Sequence, residues 1–342
     1  MRKVSCLKYL LSLLIVTGCS GFNFLCDKEE NICTSCSCDQ DYKDINRYNT
    51  LFRISKLKAD YISPATGIDK DFREEYKRDI QKFGILIPDE AFVDKNICRF
   101  ADTDVNRFNW LKRSIYSDSD IIWTTRGGFG SYKLIDWLAA LRKPKKKKIF
   151  IGFSDITALN LYLSQNWKDW TVIHAPMMIY TGKKRYHHQS WTLLMDILER
   201  KIRKYEIKGL APLNKIGKNK INGRLTGGNL TLIESSLKTK WEIDTNNKIL
   251  FVEDCHESAP SVYRSMYHLK AAGKLSKVKA IIFGDFVGSS GYKKYLKHFA
   301  SEINVPVFIT NNFGHGKKNL PLVYGAKATI KNGSLIVDLS GK

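Results

Sequence analysis

Long apolar runs are missing from almost all of the 342 residues. Beyond the first eighteen positions none reaches the eighteen or so residues that cross a bilayer, so the body of the chain is expected to be soluble. Acidic residues are scarce: 34 Asp and Glu stand against 56 Lys and Arg, a formal charge of +22, which makes anionic partners conceivable. No helix-turn-helix, zinc finger or aromatic RNA-binding motif accompanies the basic stretches, which argues against nucleic acid. P-loop and G-x-G-x-x-G spacings are absent, so a nucleotide phosphate is not indicated. There is no internal repeat and, apart from one lysine run, no low-complexity tract. With 43% hydrophobic and 26% charged residues, what remains is a globular chain long enough for two domains, each with a core of its own.

The N-terminus differs from the body. Arg2, Lys3 and Lys8 flank or precede the apolar stretch Tyr9 to Val16, which is too short for a stable span and reads as an export signal over residues 1–18. Val16-Thr17-Gly18-Cys19 resembles the lipobox of bacterial lipoproteins. That resemblance implies cleavage before Cys19, a diacylglycerol on its thiol, and a membrane-anchored lipoprotein facing the periplasm or cell wall; ordinary secretion is the alternative. Residues 19–56 are polar and cysteine-bearing and read as a tether. Cys33-x-x-Cys36-x-Cys38 lies there with no histidine nearby, and an oxidising compartment favours disulfides over a metal site. The basic run Arg142 to Lys148 and the stretch Lys201 to Lys220 would suit an anionic membrane surface or wall, or reflect composition alone.

From residue 57 strands and helices alternate. Asp120 to Thr125, Lys148 to Gly152 and Thr171 to His174 are short apolar strands, separated by apolar residues at helical spacing, such as Leu134, Ile135, Leu138 and Leu141. Such alternation predicts right-handed βαβ units and a parallel sheet. The pattern divides the chain into an α/β domain over 57–181, a basic linker over 182–222 containing a helix near Trp191 to Arg200, and a second domain over 223–342. Strands of the second domain are expected at 249–252, 278–283 and 307–310, with a helix over 261–273.

Several turns at strand ends could carry chemistry. Gly152-Phe153-Ser154-Asp155 joins a strand to a helix, a turn that would expose the Ser154 hydroxyl beside main-chain N–H groups; equally, Ser154 could simply cap the helix. Arg126-Gly127-Gly128-Phe129-Gly130 is a glycine-rich strand-to-helix turn whose N–H groups can approach an oxyanion or carboxylate, or a plain βα turn. Glu253-Asp254 ends an apolar strand, where open α/β sheets place ligands and where a carboxylate could orient an imidazole. His315 sits between Gly314 and Gly316 in a loop, whereas His174 lies on an apolar strand and reads as structural.

Taken in order, Arg126-Gly-Gly-Phe-Gly, Gly-Phe-Ser154-Asp, Gly227-Gly-Asn-Leu, Glu253-Asp and Gly-His315-Gly closely resemble the LD-carboxypeptidase family of serine peptidases, which includes the microcin C immunity peptidases. The resemblance spans about residues 58 to 340. It implies an N-terminal doubly wound, mostly parallel domain, a mixed α/β C-terminal domain and an active site between them. It also implies Ser154 as nucleophile, His315 as general base, Glu253 as its orienting residue, and the N–H groups of Gly128 and Asp155 as oxyanion hole, with no metal or organic cofactor. Arg126, beside Gly127, either binds the substrate carboxylate or braces its loop. The expected activity is hydrolysis of the L,D-peptide bond to the terminal D-Ala of a peptidoglycan tetrapeptide, and the expected state is a homodimer. Two alternatives stand beside it, a microcin C-type hydrolase of aminoacyl nucleotides and a non-catalytic wall-binding lipoprotein. The loop Lys317 to Gly325 is slightly longer than the family pattern.

Overall fold

Short runs of Ile, Val, Phe and Trp with both faces apolar are suited to strands covered on both sides, and the computed structural model builds the inner parallel strands of its two sheets from such runs. It describes residues 57–72, 74, 92–93, 97–177, 187–216 and 220–342. The signal, Cys19 and the tether expected over residues 1–56 lie outside the described residues.

In chain order the first half holds strands β1 (Ala59–Ile62), β2 (Ile68–Asp69) and β3 (Phe92–Val93), helix α1 (Asp104–Tyr116), β4 (Ile121–Thr124), α2 (Ile135–Ala139), β5 (Ile149–Ile151), α3 (Thr157–Asn166) and β6 (Thr171–His174). Helix α4 (His188–Leu198), β7 (Lys204–Lys208), β8 (Ala211–Pro212), β9 (Ile221–Asn229), α5 (Leu230–Ser235) and β10 (Lys248–Cys255) follow. The chain ends with α6 (Ala259–Ala271), β11 (Ala280–Val287), α7 (Tyr292–Ser301), β12 (Val307–Ile309), β13 (Leu322–Val323), β14 (Lys327–Lys331) and β15 (Ser334–Asp338).

One sheet has the order β1-β4-β5-β6-β13, the other β7-β15-β14-β9-β10-β11-β12-β8, and β2 pairs with β3 apart from both. The first four strands of the first sheet are parallel, as are β9 to β12 in the second. The remaining pairs of these two sheets are antiparallel. This is the α/β class expected from the sequence, with two parallel-rich sheets.

Two boundaries differ from the reading of the sequence. The expected linker 182–222 contains β7 and β8, which are the opposite edge strands of the second sheet. Its lysines hid them: in Lys204-Tyr205-Glu206-Ile207-Lys208 the charged residues face solvent while Tyr205 and Ile207 are buried. Strand β10 runs past its apolar stretch to Cys255, because Glu253 and Asp254 are themselves buried and bonded.

Helix starts follow ordinary capping chemistry. Thr103, Asn229 and Ser258 accept from the N–H groups of Asn106, Leu232 and Ser261 to open α1, α5 and α6. The core is continuous between the sheets, with Trp123, Phe150, Phe153, Phe251, Phe283 and Phe313 fully buried. Among the described residues no helix is long and apolar enough to cross a membrane.

Candidate active site

The carboxyl ends of parallel strands from both sheets converge, as expected for an open α/β sheet. Ser154 follows β5, Glu253 lies near the end of β10, and His315 sits in the loop between β12 and β13. Ser154 adopts φ +61°, a left-handed conformation unusual for a residue with a side chain and the signature of a sharp strand-to-helix turn. Its hydroxyl does not cap the helix. It lies 3.0 Å from His315 Nε2, while His315 Nδ1 lies 2.6 Å from Glu253 Oε2. An ionised carboxylate can only accept, so the imidazole proton is assigned to Nδ1 and Nε2 is left to accept from Ser154. Glu253 is fully buried, His315 about one-tenth exposed, and Ser154 partly exposed, so the chain of hydrogen bonds runs from the interior to an accessible hydroxyl.

The imidazole is held from several sides. Its ring lies 4.8 Å from that of Phe153, and the buried Asn319 accepts from Gly314 N–H through Oδ1 while donating its own N–H to Ser190 Oγ. His187 N–H also donates to Lys317 O, tying the loop after His315 to the start of α4.

The loop at 126–130 runs against Ser154. A Cβ added to Gly127 would lie 3.1 Å from Ser154 Oγ and 3.4 Å from Asp155 N, so only glycine lets the main chain come this near. Thr66 fixes the next peptide: its N–H donates to Gly127 O (3.1 Å) and its Oγ1 accepts from Phe129 N–H (3.1 Å). Because Gly127 O is turned toward Thr66, the Gly128 N–H of the same trans peptide points the other way. Gly128 has φ +101°, and a Cβ there would strike Thr66 Oγ1 at 2.1 Å.

Asp155 does more than present its N–H. Its carboxylate accepts from Gly130 N–H (3.2 Å) and Ser131 N–H (2.8 Å), and its carbonyl accepts from Ser131 Oγ (2.6 Å). Burial raises its pKa, against the pull of these donors. Arg107, fully buried, donates to Pro64 O and, at 3.1 Å, to Gly130 O, and pairs with Asp104. The brace for the loop is therefore Arg107. Arg126 is half-buried and, among the described residues, makes no hydrogen bond or ion pair.

Asp254 points away from the relay and is a structural acid. It accepts from Asn229 Nδ2 (2.7 Å), Thr231 N–H (2.9 Å), Thr231 Oγ1 (2.9 Å) and Cys255 N–H (2.8 Å), which fixes the start of α5 beside the site. The reading of the sequence found Ser154, Glu253, His315 and the glycine loop but missed Thr66, Arg107, Asn319 and the carboxylate of Asp155. Only Arg107 left a signal, as a charge at an apolar-face position of α1, in register with Leu111, Ser114 and Ile115.

Comparison with known proteins identifies the family of the chain. Residues 60–175 match the LD-carboxypeptidase N-terminal domain and residues 222–330 the LD-carboxypeptidase C-terminal domain. A protein of Rickettsia conorii named as a carboxypeptidase is 39% identical over 290 residues, covering 84% of this chain and 91% of its own. The microcin C7 self-immunity protein of Escherichia coli is 28% identical over 288 residues, covering 73% and 83%. The crystal structure of muramoyltetrapeptide carboxypeptidase from Oxalobacter formigenes superposes with a TM-score of 0.69 at 25% identity, covering 82% of this chain and 99% of that one. With both domains matched in order, the chain belongs to the LD-carboxypeptidase family.

Proposed function

We propose that the protein is a serine carboxypeptidase that hydrolyses the L,D-peptide bond to the terminal D-Ala of peptidoglycan tetrapeptides through an acyl-enzyme. The observation that carries this reading is the hydrogen-bonded relay from Glu253 through His315 to Ser154, set beside the 126–128 loop. Ser154 Oγ attacks the carbonyl as His315 Nε2 takes its proton, and Glu253 holds the ring and stabilises the imidazolium. The N–H groups of Gly128 and Asp155 take the tetrahedral oxyanion. His315 then gives the proton to the departing amine, and water, activated by the same imidazole, releases the acyl group. Arg126, uncommitted within the described residues, is the cation for the terminal carboxylate, next to Gly127 at the head of the oxyanion loop.

The substrate class rests on the similarity to the muramoyltetrapeptide carboxypeptidase, and the likeness to the microcin C7 self-immunity protein supports a second reading as an aminoacyl-nucleotide hydrolase. One experiment separates them. Purified protein and its Ser154→Ala variant are incubated with a disaccharide tetrapeptide and, separately, with an aminoacyl adenylate analogue, and products are followed by mass spectrometry. Release of one alanine by the parent, slowed about 10⁴-fold or more in Ser154→Ala, is the expected result. Cleavage of the nucleotide alone would replace the peptidoglycan reading with the second one.

A further inference from the structure

The strand ends around His315 bring up one more acid that neither the relay nor the oxyanion loop uses. Asp285 lies in β11, beside β10, and its N–H donates to Phe313 O (3.0 Å), tying it to the loop that carries His315. Its carboxylate lies directly on Gly316. A Cβ at Gly316 would meet Asp285 Oδ2 at 2.0 Å and Cγ at 2.6 Å, so the position next to the imidazole has no room for a side chain. On the other side of His315, a Cβ at Gly314 would stand 3.0 Å from Glu253 Cβ. Asp285 is thus built into the rim of the site.

The two other site acids outside the relay are each answered by donors. Asp155 receives two main-chain N–H groups, and Asp254 receives four donors. Asp285 is half-buried, yet among the described residues its carboxylate takes no hydrogen bond and no ion pair. A carboxylate withdrawn from water without a donor is costly. No Lys or Arg among the described residues is placed on it. The groups it feels are Glu253, Lys293, His315 and Tyr292, and burial with the repulsion of Glu253 pushes its pKa up to about 6, against the pull of Lys293 and His315. The missing donor fits a group that arrives with the substrate.

The geometry points to Asp285 as a specificity-determining residue that receives a cationic group of the substrate beside the scissile bond. This assignment rests on the carboxypeptidase reading, which also fixes the side. A departing D-Ala offers only a methyl group and a carboxylate beyond its amine, so the cation belongs to the residue whose carbonyl is attacked. Asp285 therefore selects a diamino acid there, through its side-chain ammonium, by a charge-assisted hydrogen bond.

The test compares tetrapeptides that end in Lys-D-Ala with the same peptides carrying Nε-acetyl-lysine, for the parent protein, Asp285→Asn and Asp285→Glu. For Asp285→Asn the expected result is a KM raised roughly tenfold to a hundredfold on the lysine peptide, with kcat nearly unchanged. The acetylated peptide should be cleaved equally well by parent and variant, which also shows that the variant is folded. Asp285→Glu, which keeps the charge, should retain the preference for lysine. Equal losses on both peptides, or no loss on either, would overturn the assignment alone. If Asp285→Asn does not fold, loss of the lysine preference in Asp285→Glu overturns it as well. A parent that releases alanine from neither peptide overturns the carboxypeptidase reading and the assignment with it.

Discussion

His174 lies on β6 near the His315 imidazole, fully buried, with the rings of Phe153, Phe251 and Phe313 about it at 5.4, 5.4 and 6.4 Å. Burial first, and the nearby His315 second, push its pKa down to about 3. An unfolded histidine titrates near 6.5. Between these values the unfolded chain binds a proton that the folded chain refuses, so stability present above about pH 6.5 is lost as pH falls toward 3. His174→Leu is expected to remove this contribution, so that its unfolding free energy falls by about 2–3 kcal/mol less than the parent's between pH 6.5 and 4.5. Denaturant melts at several pH values check this, and parallel curves for the two proteins would count against it. Position on an apolar strand was enough to read His174 as structural. Lys148 shows the opposite case. In sequence it closes a lysine run that reads as exposed charge, yet it is buried at the head of β5 and donates to the carbonyls of Ser117 (2.9 Å) and Ser119 (2.8 Å). Its place at the head of the expected strand sets it apart from Lys145 and Lys147, but its burial has no local signal, because the carbonyls that hold it come from a turn about thirty residues away.

Elements rather than single residues decide whether the glycine loop can serve as an oxyanion hole. The loop 126–130 has little side-chain packing of its own, and its shape is imposed by α1 through Arg107, by the turn after β1 through Thr66, and by the turn after β5 through Asp155. The sequence showed the loop and the turn at Ser154, since glycines and strand ends are local signals. It did not show the struts, because each joins segments 23 to 63 residues apart. Arg107→Met keeps most of the volume but leaves Pro64 O, Gly130 O and part of the Asp104 carboxylate without their donor. Removing one partner of a buried charged network costs on the order of 3 kcal/mol. The expected outcome is a Tm lower by several degrees together with a kcat reduced roughly tenfold or more, as the donor at Gly128 drifts, while KM changes little. Steady-state kinetics at a temperature where the variant is fully folded checks it; an unchanged kcat there would show that the loop holds its shape without α1.

At the scale of the molecule, Ser154 follows a strand of the first sheet, Glu253 lies on a strand of the second, and His315 sits in the loop joining β12 of the second to β13 of the first, so the relay exists only if the sheets keep a fixed relation. The segment 320–326 sets that relation. Strand β13 pairs with β6, Tyr324 N–H donates to Val172 O (2.9 Å), and its phenol donates to Gly227 O (3.0 Å). Gly325 N–H then donates to Leu225 O (2.8 Å), and Tyr205 Oη donates to Pro321 O (2.7 Å). A strand of two residues, Leu322 and Val323, carries no periodicity by which a sequence could announce it, and the second domain as read from sequence gave no hint that it lends a strand to the first. Since both sheets bury this segment, neither can lose it without exposing apolar surface of the other. Val323→Asp, which places a carboxylate where Val323 is fully buried, is therefore expected to destabilise both sheets together by about 3 kcal/mol or more. Native-state hydrogen exchange measures this directly: amides of β4 and β5 and amides of β10 and β11 should lose protection by the same free energy. If only β4 and β5 lost protection, the halves would open independently, and the distance between Ser154 and His315 would have to be held by contacts outside 320–326.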